Sequence, residues 1–225
     1  THLQYTDMAE VGRGTYDRFR AWEIGFNTVY AKLQETRPWK ESAYRGARMM
    51  VQSGTTAAAD IVTDPEAVGA LASQGMHGIA YWEVMGWHNG DWKSEGIPEL
   101  IDNLGHMHQE GLPSIGISPH APYTLESGPF VDLPDIARQL DMRLHIHLAE
   151  TPMEAGERDT TLTTYSAADW RDGQWASYKQ LRAAGKGASA IQFVDQLGSL
   201  GPDVHIAHGV WADAEDRRIL RQRGV

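Results

Sequence analysis

His145-Ile146-His147-Leu148-Ala149-Glu150 alternates imidazoles with apolar residues and ends on a carboxylate. Residues two apart share one face of a strand, so both histidines point one way while Ile146 and Leu148 point the other. The run reads as a short buried strand. Imidazoles and an acid gathered at the end of such a strand need partners, because burying them unsatisfied is costly, and a metal ion would satisfy them. His147 stands nearer the C-terminal rim and is the better ligand. His145 reads either as a residue behind the metal or as a hydrogen-bonded interior side chain. Glu150 lies where strand becomes loop, and a slight bend aims it at a water on the metal; a plain loop acid is the alternative.

Working outward from this strand, short apolar stretches alternate with longer amphipathic ones, the pattern of a parallel α/β architecture. Further strands are expected over 55–62, 78–84, 114–118 and 204–207, and Thr1-His2-Leu3 reads as the end of another. Helical spacing of Phe19, Trp22, Phe26, Val29, Tyr30 and Leu33 predicts a helix with Thr15 as its N-cap. A second helix through Ala43, Ala47, Met50 and Val51 stops at Gly54. Helices are also predicted over 65–73, 97–110 (Pro98 in its first turn, Gly111 closing it), 133–140, 176–184, 189–197 and from 214. The polar stretch 151–174 reads as a long loop of the kind that covers an active site.

Residues able to do chemistry recur at strand ends: His2, His120, Glu150 and His208. A (β/α)₈ barrel builds its active site there. A doubly wound sheet would instead gather its ligand at one switch point, usually with a glycine-rich loop, and none is present. The expected fold is therefore α/β, a (β/α)₈ TIM barrel represented by about six βα units, with residues 1–225 forming one partial barrel domain. His120 sits between prolines that stiffen its loop, which suits a substrate contact or a simple turn. Tyr81, Trp82, Glu83 and Trp87 could line a pocket. Packing against the neighbouring helix is the plainer reading for each of them except Glu83. His205, low on its strand, reads as an interior or packing residue.

Composition narrows the partners. The formal net charge of −10 argues against nucleic acid and anionic membrane surfaces. There is no cysteine, so any metal must be held by His, Asp or Glu. No apolar stretch approaches the roughly 18 residues of a spanning helix. A cytoplasmic enzyme acting on a small molecule is expected, and a homo-oligomer is compatible with the chain.

His147-Leu148-Ala149-Glu150, Ser118-Pro119-His120-Ala121-Pro122-Tyr123, Ala207-His208-Gly209-Val210, Ser53-Gly54-Thr55-Thr56 and Thr1-His2-Leu3 together resemble the amidohydrolase superfamily. They are most similar to its aminohydrolases: adenosine, S-adenosylhomocysteine and aminodeoxyfutalosine deaminases, with triazine chlorohydrolases as relatives. The resemblance implies that His2 and His147 bind one divalent metal, zinc first and iron or manganese as alternatives. It implies that Glu150 shuttles protons and that His208 positions water and stabilises the tetrahedral intermediate. It also places His120 against the substrate, with Glu83 and Trp87 as further substrate-binding candidates. The activity implied is hydrolytic deamination of an adenine-type nucleoside, aminodeoxyfutalosine-like by preference. A triazine chlorohydrolase or cyclic-amidine amidase is the alternative, and a metal-free ligand-binding barrel the second.

Two features of that family have no counterpart in the chain. The first strand-one histidine would precede Thr1, and the strand-eight aspartate would follow Val225; the flanking β-sandwich is missing as well. The expectation is a portion of a longer enzyme, unable to close its barrel and inactive by itself.

Overall fold

The computed structural model describes residues 1–16, 19–107, 114–151, 154–155 and 189–225. The helix expected over 176–184, most of the polar stretch 151–174 and the turn at Gly111 lie outside these residues. Five strands form one sheet in chain order, β1 (Ala57–Val62), β2 (His77–Val84), β3 (Ser114–Pro119), β4 (Leu144–Leu148) and β5 (Val204–His208). Each resolved pairing is parallel: β1 with β2, β3 with β4, and β4 with β5. Sequential parallel strands with helical connections are the repeating pattern of a (β/α)₈ barrel, here a portion of one.

The chain divides into two compact units. The first comprises Thr1–Trp82 and Gly105–Ile115; the second comprises Glu83–Leu104 and Gly116–Val225.

In the first unit β1 and β2 run in register from Ala57↔His77 to Val62↔Trp82. Gly78 has φ 151°, and a Cβ there would sit 1.9 Å from the Ala58 carbonyl oxygen, so only glycine permits the two strands to approach this closely. Helix α1 (Phe19–Gln34) carries the aromatic stripe read from the sequence, and α2 (Trp39–Gln52) follows it. Gly54, at φ 92°, takes the left-handed position after α2 that the sequence assigned to it. Trp22, Phe26, Val29, Tyr30 and Leu33 pack around buried Met8, Val11 and Trp39. The sequence reading missed a 3₁₀ turn over Leu3–Met8 and a short helix over Ala9–Gly12. These ten residues are too short and too mixed in polarity to show a period.

In the second unit β4 is buried along its whole length. It pairs with β5 from Leu144↔Val204 to Leu148↔His208. Helices α3 (Ile97–Met107), α4 (Ser127–Gln139), α5 (Ala190–Gln196) and α6 (Ala214–Arg223) connect and follow the strands. Helix α4 starts at Ser127, well before the expected 133, because Pro129 falls in its first turn where a missing N–H costs nothing. Phe130 meets Phe193 edge to face, joining α4 to α5. Ser189 caps α5 by accepting from the Gln192 N–H, and its hydroxyl donates to Asp216 at the start of α6. Among the described residues no helix is long and apolar enough to cross a membrane.

Candidate active site

Within the second unit, β2, β3, β4 and β5 deliver Glu83, His120, His147, Glu150 and His208 at or just past their C-terminal ends. Two backbone bonds lock three of these strand ends together. The His120 N–H donates to the Val84 carbonyl at 2.9 Å, and the His147 N–H donates to the His120 carbonyl at 2.9 Å. The imidazoles then gather: His120 and His147 have ring centroids 4.6 Å apart, and His147 and His208 5.3 Å apart. His147 is buried, as ligand duty requires. Thr124 Oγ1 lies 2.8 Å from Nδ1 of His120 and fixes its ring. Burial, followed by the nearby His208, lowers the His120 pKa to about 4, so this imidazole is neutral at physiological pH.

Glu150 is aimed by backbone geometry. Ala149 adopts φ 54°, a left-handed conformation rare for a residue with a Cβ, and it turns the chain sharply after β4. The turn is held from β5, where the Gly209 N–H donates to Leu148 and the Trp211 N–H donates to Ala149, each at 2.9 Å. His208 itself has φ 74°. Its Nε2 then lies 3.6 Å from Glu150 Oε1, and Tyr123 donates its hydroxyl to Glu150 Oε2 at 2.7 Å.

Two groups in contact with Glu150 escaped the sequence reading. Tyr123 was visible only as part of a motif, since its partner is distant in the chain. Burial first, then the charge of Glu150, raises its pKa well above the usual phenol value, so it stays a donor. Glu154 is buried beneath the turn, and its Oε2 accepts from the Glu150 N–H at 2.9 Å, the Thr151 N–H at 3.0 Å and the Thr151 hydroxyl at 3.2 Å. Its pKa is raised to about 8, chiefly by burial, with the Glu150 charge adding to the rise against the opposing hydrogen bonds from Thr151 and Glu150.

Glu83 occupies the next-to-last position of β2. Its Oε1 is buried and has no hydrogen-bond partner among the described residues. Burial and the Glu150 charge raise its pKa to about 8. One of its carboxylate oxygens and a ring nitrogen of His147 lie within 4.8 Å of each other. A histidine nitrogen beside a buried carboxylate oxygen that lacks a donor fits a divalent cation, whose charge would offset burial of the anion.

The other sequence-assigned residues fall as follows. His145 is buried on β4, 6.4 Å from His205 in ring centroids, and burial lowers its pKa to about 4. His205 pairs in register with His145 and so lies on the same face of the sheet, with its side chain exposed. Trp87 lies beside Trp92, with ring centroids 6.2 Å apart and the rings tilted. In the first unit His2 stacks on Tyr5 with ring centroids 5.7 Å apart. Buried Asp60 of β1 holds the chain on both sides of it, accepting from the Leu3 N–H at 2.9 Å and the Thr1 hydroxyl at 2.7 Å.

A model of the amidohydrolase family matches residues 1–225. The chain belongs to the amidohydrolase family. It is 26% identical over 218 residues to a 5-methylthioadenosine/S-adenosylhomocysteine deaminase of Thermococcus kodakarensis, covering 95% of this chain and 46% of that protein. It is 28% identical over 177 residues to a 5'-deoxyadenosine deaminase of Methanopyrus kandleri, covering 78% of this chain and 36% of that one. The chain thus spans less than half the length of these amidohydrolases. Among solved structures it superposes on the zinc complex of atrazine chlorohydrolase TrzN from Arthrobacter aurescens TC1. The TM-score is 0.71 at 18% identity, over 100% of this chain and 50% of that one. On Helicobacter pylori aminofutalosine deaminase, in complex with methylthio-coformycin, the TM-score is 0.65 at 12% identity, over 100% and 52% of the two chains. These two likenesses establish the barrel fold. The two sequence relatives of this amidohydrolase given above are nucleoside deaminases.

Proposed function

We propose that the whole protein is a metal-dependent hydrolase that removes ammonia from the aminated ring of an adenine-type nucleoside. The observation that carries this reading is the Tyr123–Glu150–His208 relay at the strand ends beside His147. His147 and, from the strand-one motif, His2 are assigned as metal ligands, with zinc as the ion. When bound, the cation supplies a water acidic enough to attack at neutral pH.

Glu150 takes the proton of that water and passes it to a ring nitrogen, which removes aromatic stabilisation from the attacked carbon. Tyr123 engages Oε2, so Oε1, the oxygen facing His208, is the one that handles the proton. His208 Nε2 hydrogen-bonds the oxygen of the tetrahedral carbon. The hydroxyl on the tetrahedral carbon then gives up its proton to the exocyclic nitrogen, the carbon–nitrogen bond breaks as the carbon–oxygen double bond forms, and ammonia leaves a keto base. His120 and Trp87 are assigned to substrate binding; a neutral His120 can donate or accept toward a heterocycle without repelling the metal. Deaminases among the sequence relatives support this reading over a chlorohydrolase, whose support is likeness of fold alone.

The test is ammonia release by the purified whole protein from 5'-deoxyadenosine, 5'-methylthioadenosine, S-adenosylhomocysteine and a chlorotriazine. Turnover of a nucleoside is expected, with Glu150→Gln lowering kcat by ~10²–10⁴-fold. Chloride release from the triazine with no nucleoside turnover would reject the proposal.

A further inference from the structure

Glu83 is the side chain that the proton relay leaves without work. It stands on β2, one residue before the strand ends, with Oε1 buried and no donor among the described residues to satisfy it. Proteins rarely bury a carboxylate oxygen in that condition, because the lost hydration is not returned. Glu154 and Asp60 each have one oxygen that takes several hydrogen bonds, three to Glu154 Oε2 and two to Asp60 Oδ1. Among the described residues no hydrogen-bond donor reaches Glu83 Oε1.

The position of that partner follows from the neighbouring imidazole. A Glu83 oxygen and a His147 ring nitrogen lie within 4.8 Å of each other. Two atoms that each sit about 2.1 Å from one ion are at most about 4.2 Å apart, so a small side-chain rotation lets both bind the same cation. Substrate recognition, the role the sequence suggested for Glu83, does not by itself explain an oxygen placed beside the nitrogen of a metal ligand.

We propose that Glu83 is a metal ligand, its carboxylate sharing one divalent cation with His147. The proposal rests on the metal-dependent half of the proposed function and is independent of which substrate is turned over.

The test is zinc affinity of the whole protein, measured without substrate by competition with a chromogenic chelator, for wild type, Glu83→Gln and Glu83→Asp. Glu83→Gln, nearly isosteric but uncharged, is expected to weaken zinc binding at least tenfold, and Glu83→Asp to recover part of the loss. Unchanged affinity in a folded Glu83→Gln protein would overturn the proposal. If that variant does not fold, a crystal structure of the zinc-loaded wild type decides. A Glu83 oxygen about 2.0–2.2 Å from the ion is expected, and one beyond ~3 Å would refute the assignment. A protein that binds zinc through Glu83 yet releases no ammonia would sink the deaminase reading and leave this one standing.

Discussion

Glu150, proposed to handle the proton, is set by three contacts of different kinds: a phenol hydrogen bond, a facing imidazole and a strained backbone turn. Tyr123 reaches Glu150 across 27 residues of sequence, which is why no local pattern exposed it. A hydrogen bond to a charged group is worth about 1.5–3 kcal/mol, and here it chooses which carboxylate oxygen faces His208. Tyr123→Phe is therefore expected to lower kcat about tenfold or more, with KM and bound metal close to wild type, in steady-state kinetics paired with metal analysis. A change confined to KM would place Tyr123 against the substrate instead. The strand-end placement of His147, Glu150 and His208 was legible, because strand periodicity exposes it directly. Glu154 was not. Four residues beyond Glu150 in a polar stretch, it looks like any loop acid until burial and its hydrogen bonds are seen.

At the scale of elements, β4 was legible as a buried strand, since five residues buried on both faces leave an unbroken signal. Helix α4 begins at Ser127, before the expected 133, and Pro129 in its first turn costs no hydrogen bond. The pairing of β1 with β2 depends on one backbone position. Gly78→Ala would drive a Cβ against the Ala58 carbonyl oxygen at a positive φ that alanine disfavours. A loss of about 2 kcal/mol or more is expected, read as a lower thermal midpoint. A midpoint equal to wild type would show that this strand pair has slack.

For the molecule as a whole, parallel topology was legible because each strand is short, apolar and followed by a helical period. Register was not, since it is set by contacts such as the Gly78–Ala58 approach. The site also leaves a signature in overall stability. In the metal-free protein Glu83 and Glu154 hold their protons up to about pH 8, whereas unfolded glutamates release theirs near 4.5. The folded state then binds more protons than the unfolded one, so these groups stabilise it at low pH and lose that effect as pH rises toward 8. His120 and His145 act in the opposite sense: folded values of about 4 against 6.5 destabilise the fold as pH falls below 6.5. Between pH 6.5 and 8 the metal-free protein is thus expected to lose stability with rising pH. Glu154→Gln should reduce that slope by about one proton in denaturant titrations; an unaltered slope would remove Glu154 from this account.

All of these expectations serve one claim, that water replaces an exocyclic amine on the ring of an adenine-type nucleoside. The most direct measurement is turnover of 5'-deoxyadenosine by the whole zinc-loaded protein in ¹⁸O-labelled water, with ammonia and the product base analysed together. The account predicts one ammonia released per turnover and one ¹⁸O atom on the product ring. Unlabelled product, or intact nucleoside with no ammonia after prolonged incubation across the nucleoside panel, would contradict it.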